Sequence, residues 1–179
     1  MTAVLLLSGG ASRRMGQNKA HLAMPDGEDL LSWQEQRLSA AGFPVYSRIP
    51  DQVTGFQGPL AGIHAALQAH PNVPDWLVLP VDMPRLSPEA MQLLIQAGQH
   101  QHQLCCFDAS PLPVYLPAKP DLLSTLNRWL LSDDGPRSVS ALIRSMQGQR
   151  IPAGGFTSEL INLNTPAQWQ AFITGAETV

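Results

Sequence analysis

The chain has 179 residues, 44% of them hydrophobic and 14% charged, with a formal net charge of −3. That balance predicts one globular domain over residues 1–179 and gives no bulk electrostatic attraction to nucleic acid or to an anionic membrane, so any anion site has to be local. No segment approaches the roughly 20 apolar residues that cross a bilayer. No signal peptide is expected either, because the early apolar run has no basic leader and stops at Ser8-Gly9-Gly10.

The elements follow in chain order. Val4 to Leu7 is a continuous apolar run, as in a strand buried on both faces of a parallel sheet. A loop rich in Gly and Arg follows, and then a helix from Leu30 to Ala41, with Leu30, Leu31, Gln34 and Leu38 near one face. Residues 44–49, PVYSRI, suit an edge strand. Residues 58–70 read as a loop entering a helix, and 75–84 as a second buried strand that ends in Asp82-Met83-Pro84. Ser87 to Gly98 has the N-cap serine, first-turn Pro88 and terminal glycine of a helix.

QLCCF and LPVYLP predict two short strands around the turn DASP, with Pro113 arguing against a central place for the second. Cys105 and Cys106 are adjacent in the first of these, so they point to opposite faces and a bridge is not expected, which fits a reducing cytoplasm. Helices are expected over 121–133 and 138–148, a last strand around 160–163, and a final helix capped by Thr165. Strands alternating with helices predict an α/β fold with a mainly parallel, mixed central sheet flanked by helices. In such folds ligands bind beyond the carboxyl ends of the strands.

Two clusters of chemistry stand at those ends. In SGGASRRMGQNK, Gly9 and Gly10 allow close backbone approach, and Arg13, Arg14 and Lys19 carry charge suited to phosphate oxygens. The spacing matches neither the Walker pattern nor a dinucleotide GxGxxG, and a glycine turn with solvated basic side chains has the same composition. Asp82, at the tip of the second buried strand, is placed to hold Mg²⁺ next to substrate phosphates, although an Asp before Met-Pro also suits a plain turn.

The motifs LSGGASRRMGQNK, GPLAGI, LPVDMPRL and INLNTP, in that order, make the chain resemble the molybdenum cofactor guanylyltransferases, within the wider group of nucleotidyltransferases with a Rossmann-like three-layer fold. The resemblance implies that Leu7, Ser8, Gly9 and Gly10 line a nucleotide and that Arg14 and Lys19 lie near its phosphates. It also implies that Asp51 helps bind the nucleoside, that Gly58, Pro59, Leu60 and Gly62 form a further wall, and that Asp82 binds the metal. Asn162 and Asn164 would face the acceptor and metal side. Catalysis would rest on Arg14, Lys19 and Asp82, with GTP and molybdopterin as substrates, Mg²⁺ as cofactor and transient contacts with other cofactor-building proteins.

The chain departs from that pattern between Lys19 and Gly58, where the family fits two helices and two strands and this sequence has room for one helix and PVYSRI. That region contributes to the base pocket, so a cytidylyltransferase using CTP and a non-catalytic nucleotide-binding member are the alternatives. Ser8 also stands where the family more often has alanine. His100 and His102 read as a polar connection after Gly98 rather than a metal pair, His21 and His64 have no partner in sequence, and Trp33, Trp129 and Trp169 fall on amphipathic helices as core or groove residues.

Overall fold

The computed structural model describes residues 1–8, 19–51 and 58–175. Its central sheet grows from two strands with buried apolar interiors, β1 (Ala3–Leu7) and β3 (Asp75–Pro80), which pair in parallel from Ala3 opposite Trp76 to Leu7 opposite Pro80. The two-residue strand β2 (Val45–Tyr46) adds to the outer edge of β1. On the other side come β5 (Val114–Pro117), β4 (Cys105–Phe107) and β6 (Gln149–Ile151), giving the order β2-β1-β3-β5-β4-β6 with β5 antiparallel to both of its neighbours. The mixed, mostly parallel sheet expected from the sequence is therefore present.

Side chains alternate along each strand, and the alternation builds two cores. Val4, Leu6, Leu77, Leu79, Cys105, Phe107 and Tyr115 face α1 (Leu30–Ala40), α3 (Pro88–Gln101) and α6 (Pro166–Ile173). Ala3, Leu5, Trp76, Val78, Cys106, Val114 and Leu116 face α2 (Pro59–Ala69), α4 (Pro120–Leu130) and α5 (Val139–Ser145). The result is three layers, helix on sheet on helix. Each fully buried Leu, Ile or Phe in them contributes about 1.5–3 kcal/mol relative to exposure.

Four expectations need correction. β5 lies centrally between β3 and β4, because Pro113 precedes the first paired residue, Val114, and takes no N–H from the ladder. The strand expected around 160–163 is instead the end of a 3-10 helix, Gly154–Leu160, followed by a run that makes one backbone bond from Leu163 N to Asp82 O at 2.8 Å. The sixth strand is β6, three residues that pair in parallel with β4. Finally, α3 continues through Gln101 and ends on His102 in the left-handed conformation, so His100 and His102 belong to a helix end rather than a loop. Among the described residues between α1 and α2, β2 is the one strand and there is no helix.

Cys105 and Cys106 are fully buried on opposite faces of β4. Burial, with the neighbouring Cys106 as a second cause, pushes the Cys105 thiol up to about 11, and burial likewise raises Cys106, opposed by Arg150. Thiolate is the reactive form, so the native protein is expected to release no thionitrobenzoate from Ellman's reagent at pH 8 within minutes. Adding guanidinium chloride should expose both of its two cysteines.

Candidate active site

The pairing of β1 with β3 runs one bond past the sheet, from Val81 N to Leu7 O at 3.0 Å. Ser8 and Asp82 are the next residues along the two strands, so the ladder delivers them to the same end of the sheet. Asp82 there meets two distant segments. Its backbone carbonyl accepts from Leu163 N, which brings residues 162–164 alongside, and its carboxylate Oδ2 accepts from Lys19 Nζ at 2.6 Å. The same ammonium donates to Asn164 Oδ1, also at 2.6 Å.

Local structure explains why these groups hold still. Lys19 opens a single turn of 3-10 helix, Lys19–His21, pinned by the buried Ala20 and Leu22. Asn164 stands just before α6, where Thr165 and Gln168 form a capping box, and Gln168 Oε1 accepts from both Asn164 N at 2.8 Å and Thr165 N at 3.1 Å. Asn162 lies on the same strip, half-buried.

The Lys19 and Asp82 side chains are only 12% and 13% exposed, so each charge depends on the other for the solvation it has lost. Asp82 Oδ1 is buried and has no hydrogen-bond partner among the described residues. A bare carboxylate oxygen beside an amide oxygen has free capacity to accept a cation. No three His, Cys, Asp or Glu side chains gather among the described residues. The donor set is therefore one carboxylate with amide oxygen nearby, which suits a hard divalent ion that draws its remaining oxygens from water and phosphate.

A cavity of about 290 Å³ opens at the same ends of the strands. Leu7, Ser8, Asp51 and Gly58 line it, with Pro59 and Gly62 of the α2 first turns and with Arg48 and Ile49 after β2. Leu60 does not line it, because its side chain is fully buried in the core beneath α2. Gly62 packs closely on Leu7: a Cβ there would lie 2.8 Å from Leu7 Cδ2, so any larger residue would push that side chain aside. Gly58 has φ +69°, a conformation other residues enter only with strain, and it starts α2 without a side-chain cap. Gly9, Gly10 and Arg14, expected on the phosphate side, lie outside the described residues.

The remaining sequence candidates have other partners. His64 is buried and pairs through Nε2 with Asn127 Oδ1 at 2.6 Å, joining α2 to α4, while His21 Nδ1 lies 3.7 Å from Asp29 Oδ2 at the α1 cap. Trp169 sits in the first core, and Trp33 and Trp129 pack at core edges.

A family model described as the MobA-like NTP transferase domain matches residues 4–150. The chain is 32% identical to a molybdenum cofactor guanylyltransferase of Xanthomonas euvesicatoria pv. vesicatoria, over 94% of this chain and 93% of that protein. Its fold matches molybdopterin-guanine dinucleotide biosynthesis protein A from Archaeoglobus fulgidus with TM-score 0.69 at 23% identity, covering 95% of both chains. It also matches 2-C-methyl-D-erythritol 4-phosphate cytidylyltransferase from Thermus thermophilus with TM-score 0.63 at 14% identity, over 98% and 96% of the two chains. At these identities the two solved structures show a shared fold.

Two residues that the motifs do not point to bracket Asp82 from α1. Gln34, 1% exposed, donates from Nε2 to Val81 O at 3.2 Å, and Arg37 donates from Nη1 to Leu86 O at 2.8 Å while its Nη2 holds Gln34 Oε1 at 2.8 Å. Burial pushes the Arg37 pKa down from its ordinary value, with Glu159 opposing, and the guanidinium stays charged in any case. The legible signal is a glutamine within the apolar stripe of α1, where a polar group must find a buried partner. Gln34→Leu strands Val81 O and part of Arg37, so stability should fall by about 1–3 kcal/mol. Urea unfolding checks this as a lower midpoint at unchanged slope, with Gln36→Ala on the exposed face of α1 within about 0.5 kcal/mol of the parent.

Proposed function

The chain belongs to the MobA-like NTP transferase family, and we propose that it transfers GMP from GTP to molybdopterin, forming the guanine dinucleotide cofactor and releasing pyrophosphate. An oxygen of the terminal phosphate of molybdopterin attacks the α-phosphorus of GTP. The bond from that phosphorus to the α,β-bridging oxygen breaks, and its electron pair leaves on pyrophosphate. The observation that carries this reading is the cluster of Lys19, Asp82 and Asn164, with one bare carboxylate oxygen, beside a cavity at the ends of the same two strands.

The residues divide the work. Leu7, Ser8, Asp51 and Gly58 hold the nucleoside in the cavity, and Gly9, Gly10 and Arg14 take the triphosphate. Asp82 would hold Mg²⁺ through its bare Oδ1, and the bound ion neutralises charge on the phosphate oxygens as a Lewis acid. Lys19, bonded to the other carboxylate oxygen, would neutralise the charge that collects on the leaving pyrophosphate. Asn162 and Asn164 lie on the acceptor side. The nucleophile is already an anion, so positioning and charge neutralisation carry the rate rather than a strong base.

Guanine as the base rests on the named relatives that match along nearly the whole chain. The same reading takes residues 1–179 as one domain that works in the cytoplasm, in keeping with its two free, buried thiols, and hands its product on through transient contacts with other cofactor-building proteins. Among the described residues, no helix is long and apolar enough to cross a membrane.

Pyrophosphate release with Mg²⁺, molybdopterin and each of the four triphosphates in parallel tests the proposal, and GTP alone should support turnover. Release with CTP alone would move the chain to cytidylyl transfer, and release with none would leave it a binding protein. Asp82→Asn should lower Mg²⁺-dependent release by about a hundredfold or more, and unchanged release would remove Asp82 from the metal.

A further inference from the structure

The charges around Asp82 bear on the order in which its ligands arrive, given the reading of Asp82 as the metal carboxylate. Asp82 contributes one negative charge, Lys19 one positive charge 2.6 Å away, and Asn164 none. The cluster is neutral, and its charges are largely removed from water. An isolated dication that approaches Asp82 Oδ1 gains a carboxylate oxygen but meets an ammonium bonded to the other oxygen of the same group. Water competes for the ion at no such cost.

A triphosphate changes that balance. It brings several negative charges and gives the Lys19 ammonium phosphate oxygens to bind in place of Asp82 Oδ2 and Asn164 Oδ1. Both oxygens are then released together toward the ion. We infer that the protein does not carry a resident metal: it accepts the divalent ion only together with the triphosphate, and Lys19 is the group that enforces this by holding the carboxylate and the amide oxygen until phosphate arrives. Lys19 thus has a role in binding as well as in catalysis. It keeps Asp82 paired in the free protein, where a lone buried carboxylate would be costly.

Charge arithmetic sets the test. Lys19→Met and Asn164→Asp each take the cluster from neutral to one negative charge by a different route, whereas Lys19→Arg leaves it neutral. The probe is Mn²⁺ alone, measured by ultrafiltration as ion retained with the full-length protein and by the loss of its free-ion paramagnetic resonance signal. Without nucleotide, the parent and Lys19→Arg should retain Mn²⁺ weakly. Lys19→Met and Asn164→Asp should each bind it about tenfold more tightly or better. GTP should raise Mn²⁺ retention by the parent, and Asp82→Asn should abolish that gain.

Tight nucleotide-free binding by the parent, or no gain in either charge-shifted variant that keeps a native circular dichroism spectrum, would overturn the inference. Should Lys19→Met fail to fold, Asn164→Asp decides alone, because it adds a charge without removing the partner of Asp82. Mn²⁺ retention with GTP that is indifferent to Asp82→Asn would instead reject Asp82 as the metal carboxylate. That result is distinguishable, because it concerns the nucleotide-bound measurement.

Discussion

The parallel pairing of β1 with β3 is the constraint on which the rest depends. Both strands are apolar on both faces, so each must be covered by helices on either side, and a one-residue slip would exchange the two cores. Because the register is held from Ala3 opposite Trp76 to Leu7 opposite Pro80, the first residues beyond the sheet are placed as firmly as the core. Ser8 and Asp82 inherit that precision. The chemistry of the site stands on a packing decision made in hydrophobic residues.

From that starting point the site is assembled by polar contacts of long sequence reach. Gln34 and Arg37 fasten the backbone on either side of Asp82 to α1, and Leu163 fastens its carbonyl from the other flank. The carboxylate is left with one oxygen engaged and one bare. His64 Nδ1, Trp76 Nε1 and Gln149 Oε1 are also buried without a partner among the described residues, but Asp82 Oδ1 is the one such atom that belongs to a carboxylate, and a bare carboxylate oxygen at a strand tip is a place for a ligand. The cavity beside it is walled by small or backbone-rich positions such as Ser8, Gly58 and Gly62, which let a ligand come close to the main chain.

What is legible in the sequence is whatever depends on local pattern. The buried strands, the capped helices and the placing of Asp82 at a strand tip follow from apolar runs, Ser and Thr caps and proline at first turns. Pairing between short polar segments is not legible. Gln149-Arg150-Ile151 carries no strand pattern and joins the sheet because β4 presents a free edge to it. Leu160 to Leu163 has the apolar character of a strand, yet a curl of 3-10 helix ends within it and its bonding goes to the Asp82 loop. Pro113 misleads because the rule against proline applies to paired residues and it sits one position outside the pairing. Lys19 reads as a phosphate ligand, but its contact with a carboxylate 63 residues away is a product of topology.

The capping box of α6 ties folding to assembly of the site. One glutamine oxygen, Gln168 Oε1, closes the start of the helix and also holds the backbone of Asn164. The last helix therefore cannot fray at its first turn without loosening the amide that faces Lys19. The region matched by the family model ends at residue 150, so this fastening lies in the stretch of chain beyond it. The hydrogen bonds that begin α6 and the one that positions Asn164 share a single acceptor, so the chain beyond the matched region shapes the side of the crevice that faces Lys19.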